Sequence, residues 1–145
     1  MNDTAQMKTF RKNREALHAM MSSNCMNCHT FNSKLIGPSF ADISKKNGDV
    51  QQLIKHVKEG STGIWGDIVM PSHPELSEEE VSIMVDWIMT CATEKNVRFY
   101  TGTEGTFSIQ KPQTATDKTV VLLSASYLDN DKNHGEHIIS LKPKN

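Results

Sequence analysis

Apolar residues recur at helical spacing through roughly the first ninety positions and then switch to alternation. From Thr4 to Asn24, Met7, Phe10, Leu17 and Met21 share one helix face, and Asp3 or Thr4 supplies the cap. Gly37-Pro38 stops any helix. Ser39 caps a short one running through Asp42 to Lys46, and Asn47-Gly48 makes a turn. Asp49 opens a third helix with Gln52 at the capping-box position. Val50, Leu53, Ile54 and Val57 form its apolar face, and Gly60 closes it. Ser77 and Glu80 form a capping box for a last helix reaching about Thr93. Its stripe is Val81, Met84, Val85, Trp87, Ile88 and Cys91.

Two stretches depart from this pattern. Ser61 to Glu75 holds Gly63, Gly66, Pro71 and Pro74, which forbid regular structure. It also holds Ile64, Trp65, Ile68, Val69 and Met70, which are too apolar for a solvated loop, so the segment is expected to cover something. The second stretch is the C-terminal third. Val97 to Tyr100, Gly105 to Ile109, Thr119 to Tyr127 and His137 to Leu141 read as strands separated by polar turns. About four strands make too little core to stand alone robustly. The expected organisation is therefore a helical domain over 1–95 and a small antiparallel β-rich extension over 96–145.

Composition narrows the classes. A formal net charge of -1 with 23% charged residues argues against general affinity for nucleic acid or anionic membrane. A hydrophobic fraction of 37% is low for a globular chain and fits a core completed by a large prosthetic group. No apolar run approaches the ~18 residues that span a bilayer. Met1 to Lys12 lacks the apolar centre of a signal peptide, so the sequence is expected to be a mature or excised chain.

The densest chemistry is Cys25-Met26-Asn27-Cys28-His29, the C-x-x-C-H attachment signature of c-type haem. Two thiols three positions apart suit addition to two vinyl groups on one haem edge, and the adjacent His29 suits the iron. Other readings compete. A closed zinc site needs four ligands, and the remaining cysteine, Cys91, is distant. A thioredoxin-like motif needs a βαβ context. A copper(I) site has soft sulfur available in Met20, Met21 and Met26.

Residues 5–93 resemble the small bacterial mono-haem class I cytochromes c. The resemblance rests on the pentapeptide, then Ile36-Gly37-Pro38, then Trp65-Gly66-x-Ile68-x-Met70-Pro71, then Trp87 in the last helix, in that order and at those spacings. It implies a mainly α fold wrapped around one covalent haem c, with Cys25 and Cys28 as thioether links and iron ligated by His29 and Met70. It also implies a carbonyl of Pro38 that orients His29, and Trp65 directed at a haem propionate. His56 occupies a position where relatives often place an arginine for that purpose. Gly37, Phe40 and Trp87 are implied packing residues. His73 is the rival distal ligand, and Cys91 reads as a buried, inert thiol.

The functional expectation is an electron carrier rather than an enzyme: a monomer in isolation, periplasmic or otherwise extracytoplasmic. It passes single electrons between an exported dehydrogenase, such as a quinoprotein or sugar dehydrogenase, and a downstream acceptor. The dehydrogenase is either a separate redox partner or fused in a parent chain. Two alternatives stand beside it: a haem enzyme or sensor with a displaceable distal ligand, and an accessory cytochrome to a carbohydrate-binding tail. The run from Thr119 to Asp129 faintly resembles tails that follow cytochrome domains in exported multidomain proteins, and no function transfers by it. Asp129 to Gly135 resembles a calcium loop at its first odd positions, but its glycine is late and its twelfth position lacks glutamate. An Asx-rich turn is the better reading.

Overall fold

A computed structural model describes residues 5–46, 48–91, 97–106, 108 and 120–142. The chain divides into two compact units, Met1–Thr101 and Gly102–Asn145. The expected caps Asp3 and Thr4, the turn residue Asn47, the helix end at Ala92 and Thr93, and Phe107 and Ile109 lie outside the described residues.

The first unit is helical. Its helices are α1 (Ala5–Ser22), α2 (Phe40–Lys45), α3 (Val50–Glu59) and α4 (Glu78–Thr90), with a single 3-10 turn at Cys25–Asn27 after α1. The caps are local chemistry. The Ser39 hydroxyl accepts from the Asp42 N–H, and the Asp49 carboxylate accepts from the Gln51 N–H. Ser77 and Glu80 satisfy each other's backbone N–H groups in a full capping box, which also places three glutamates at the positive end of α4.

Helix α4 is the centre of the unit and packs against α1, α2 and α3. Val81, Met84, Val85, Trp87 and Ile88 are buried along it. The face that α1 buries differs from the expected one. Asn13, Ala16 and Met20 are its buried residues, whereas Met7, Phe10, Leu17 and Met21 are only half-buried. Small side chains let two helices approach closely, so the line through Asn13 and Ala16 faces inward although it is less apolar.

An aromatic cluster closes the core beside α2. Trp87 meets Phe31, Phe40 and Phe99 edge-on, with ring centroids 5.8, 5.4 and 5.0 Å apart. Phe31 stacks on Phe99 at 5.3 Å. Edge-to-face pairs set a positive ring edge against a negative face and add to the burial of apolar area. Val97 to Tyr100, expected as a strand, has no regular structure. Phe99 is instead a packing residue of the helical unit, and its carbonyl accepts from the Asn32 side chain at 3.4 Å.

The second unit contains one hairpin, β1 (Val121–Leu128) paired antiparallel with β2 (His134–Leu141). The register runs from Val121 opposite Leu141 to Leu128 opposite His134. It sets Leu123 across from Ile139 and Tyr127 across from Gly135, where an added Cβ would collide with the tyrosine ring. The connection is an Asx turn. Asp129 accepts from the N–H of Asp131 at 2.9 Å and of Asn133 at 2.7 Å, and from the Asn133 amide at 2.9 Å. The described strands number two rather than the expected four.

Candidate haem-binding site

The C-x-x-C-H residues lie on the 3-10 turn. The Cys25 carbonyl accepts from the N–H of both Cys28 and His29, at 3.2 and 3.1 Å. This turn is stapled to the following loop. Cys28 O accepts from Ile36 N and Gly37 N, and the carbonyls of Thr30 and Phe31 accept from Phe40 N and Ala41 N. Those bonds bring Pro38 to His29, whose Nδ1 lies 2.7 Å from the Pro38 carbonyl oxygen. A carbonyl only accepts, so Nδ1 carries the proton and Nε2 keeps its lone pair. Phe40 stacks on the imidazole at 5.4 Å with planes 23° apart. Gly37 completes the clamp, because a Cβ there would stand 2.5 Å from His29 Cε1.

The second segment carries Met70. Ser61 and Met70 exchange both backbone hydrogen bonds, at 3.1 and 2.9 Å, and close the base of the loop between them. Gly60, at φ 80°, passes so close to the Met70 carbonyl that a Cβ would sit 2.8 Å from it. Met70 is half-buried there. Within the loop, Trp65 lies under the Lys46 ammonium, 4.4 Å from the ring centroid, and Lys46 donates to the Ile64 carbonyl at 3.1 Å. His56 is half-buried on α3, and its side chain has no hydrogen-bond partner among the described residues. His73, the rival ligand, is held otherwise: its N–H donates to Val57 O, and its Nδ1 is 3.0 Å from Glu75 Oε1. The Glu75 carboxyl is held below its usual range, first by its own backbone N–H and then by His73.

Several observations test whether these residues fit a haem. The lone pair at His29 Nε2 is oriented by a partner that fixes the tautomer, as iron ligation requires. Burial pushes the Cys25 thiol up to about 11, with its own backbone hydrogen bond opposing. A desolvated site that disfavours a thiolate accepts a neutral thioether without that penalty. The loops bearing His29 and Met70 also expose Leu35, Ile36, Trp65, Ile68 and Val69, with Val69 65% exposed. So much exposed apolar surface on these two loops marks a surface meant to be covered. Among the described residues, no three His, Cys, Asp or Glu side chains converge as a metal site. The residues present fit a haem.

Sequence reasoning did not single out Ser61, Lys46 or Phe99. A serine just past a helix's C-cap and a lysine at another helix's C-cap look like ordinary surface residues, and the contacts that matter to them come from elsewhere in the fold.

A family model described as cytochrome C oxidase, cbb3-type, subunit III, matches residues 12–88. The chain is 40% identical over 73 residues to cytochrome c-551 of Ectopseudomonas mendocina, covering 48% of this chain and 88% of that one. It is 36% identical over 72 residues to cytochrome c-552 of Nitrosomonas europaea, covering 47% and 70%. The crystal structure of the wild-type Nitrosomonas europaea cytochrome c552 aligns with a TM-score of 0.49 and 33% identity, over 52% of this chain and 98% of that one. Over its N-terminal half, the chain therefore belongs to the class I mono-haem cytochromes c, electron carriers that hold one covalently bound haem c.

Proposed function

We propose that residues 1–95 carry an extracytoplasmic one-electron relay, that 96–145 form a β-rich extension of it, and that its donor is an exported dehydrogenase. The single observation that carries the site assignment is the His29–Pro38 contact of 2.7 Å, which leaves one ring nitrogen free for a metal. When bound, the haem supplies reversible one-electron chemistry at its iron. Cys25 and Cys28 would hold it through thioethers, and His29 and Met70 would supply ligands to its iron. Trp65 and His56 serve the propionates. Gly37, Pro38 and Phe40 keep the imidazole from rotating. A methionine ligand would raise the potential, and with both His29 and Met70 bound the iron would have no place for substrate. No helix of the described residues is long and apolar enough to cross a membrane, which suits a carrier that docks from solution.

The test is direct. Colour should survive acid-acetone extraction and denaturing electrophoresis, and Cys25→Ala or Cys28→Ala should impair maturation. The oxidised protein should show the weak far-red charge-transfer band of thioether ligation. Met70→Ala should abolish that band and admit carbon monoxide, whereas His73→Ala should do neither. Met70→His should lower the potential, each ~59 mV being a tenfold change in a one-electron equilibrium. Ready binding of carbon monoxide by the unmodified ferrous protein would replace this reading with a sensor or enzyme.

A further inference from the structure

We propose that Lys46 is a positioning residue for the distal loop, clamping Ile64 and Trp65 so that Met70 stays at its axial position. This rests on the assignment of Met70 as a ligand.

The loop needs such a clamp. Its base is closed by the two hydrogen bonds between Ser61 and Met70. Above the base it has little support. Gly63 and Gly66 have positive φ, and no atom lies within 4 Å of where their Cβ would be. Trp65, Ile68 and Val69 are all exposed. Lys46 makes two contacts to this segment at once, a charged hydrogen bond to the Ile64 carbonyl at 3.1 Å and an ammonium 4.4 Å above the Trp65 ring. Each constrains a different group: the first fixes backbone, the second fixes the indole plane.

Lys46 is itself well anchored. It is the C-cap of α2, and its backbone N–H bonds to Asp42 and Ile43 carbonyls. Helix α2 is pinned at its other end by the Ser39 cap, one residue after Pro38, and along its length by Ser44 donating to Met89 O of α4 at 2.8 Å. One short helix therefore reaches the carbonyl that orients His29 at its start and the Met70 loop at its end. A surface lysine that merely adds stability would have no reason to act on ligand exchange, and that difference is measurable.

The experiment follows cyanide association with the ferric holoprotein by stopped flow, together with the amplitude of the far-red band. Lys46→Met keeps the aliphatic stem but loses both contacts. It should bind cyanide at least tenfold faster and lose part of the band, because a cation–π contact and a charged hydrogen bond are lost together. Lys46→Arg retains a donor and a cation over the ring and should restore the slow rate. Lys45→Met, the neighbouring exposed lysine, removes the same charge without the contacts and should behave as wild type. If Lys46→Met fails to mature, Lys46→Leu, which also lacks both the donor and the charge, provides the same comparison. An unchanged cyanide rate in Lys46→Met, or an equal acceleration in Lys45→Met, overturns the clamp. Met70→Ala measured alongside separates the two claims. If it keeps the far-red band, the ligand assignment fails and the clamp fails with it. If it loses the band while Lys46→Met matches wild type, only the clamp fails.

Discussion

At the scale of single residues, the site depends on how closely backbone approaches His29. Gly37 lies against the His29 ring, and a methyl there would sit 2.5 Å from Cε1 and 2.9 Å from Nδ1. Gly37→Ala therefore has to push the imidazole away from the Pro38 carbonyl or move the Ile36–Pro38 loop. The expected result is a lower yield of mature protein and a shifted potential in what matures, measured by redox titration. An unshifted potential would mean that the loop yields instead of the ring. Cys91 shows the opposite kind of residue. Desolvation pushes its thiol up to about 12, so it stays protonated and unreactive at neutral pH.

At the scale of elements, α2, α3 and α4 are secured at their N-termini by short polar side chains and the hairpin by a single aspartate. Removing the Ser77 hydroxyl leaves the Glu80 N–H without its partner in the α4 capping box, while the Ser77 N–H can still donate to the Glu80 carboxylate. Ser77→Ala should destabilise the helical unit by about 1 kcal/mol, read from chemical denaturation. In the hairpin turn, hydrogen bonds from Asn133 and then Asp131 hold the Asp129 carboxyl below its usual range. The sign follows from linkage. A depressed folded value means the ionised form favours the fold. The contribution is complete above the ordinary value of 3.8 and is lost as pH falls through the lower folded value. Tyr127 and Gly135 resonances should accordingly lose dispersion in acid, and Asp129→Ala should show that loss already at neutral pH.

At the scale of the whole molecule, the helical unit uses sequence beyond its last helix. Phe99 stacks on Phe31 and meets Trp87 edge-on, completing the cluster that backs Phe40 and His29. A truncation after Thr101 should keep that cluster, whereas one after Asn96 removes it. Both should still attach haem, since the proposed links and ligands all precede residue 75. The shorter chain, like Phe99→Ala in the full chain, should be less stable by about 2 kcal/mol, below the full cost of a core phenylalanine because Phe99 is half-buried. Equal midpoints for the two truncations would show that Phe99 packs without contributing.

By itself the sequence determined the features whose causes are local. Helix boundaries followed from caps at Ser39, Asp49 and Ser77, because a side chain two or three residues from an orphan N–H either reaches it or does not. The pentapeptide at 25–29 and the glycine- and proline-broken apolar loop ending at Met70 were legible for the same reason: their chemistry is written in spacing. Tertiary structure decided what spacing cannot encode. It chose Asn13, Ala16 and Met20 over a more hydrophobic line as the buried face of α1, because close helix approach depends on the partner's shape. It turned Val97–Tyr100 from an expected strand into an anchor, since its aromatic side chain finds partners 68 and 12 positions away in Phe31 and Trp87. It also brought Lys46 over Trp65, a contact across 19 positions that no local rule foresees, because packing, rather than sequence proximity, sets which side chains meet.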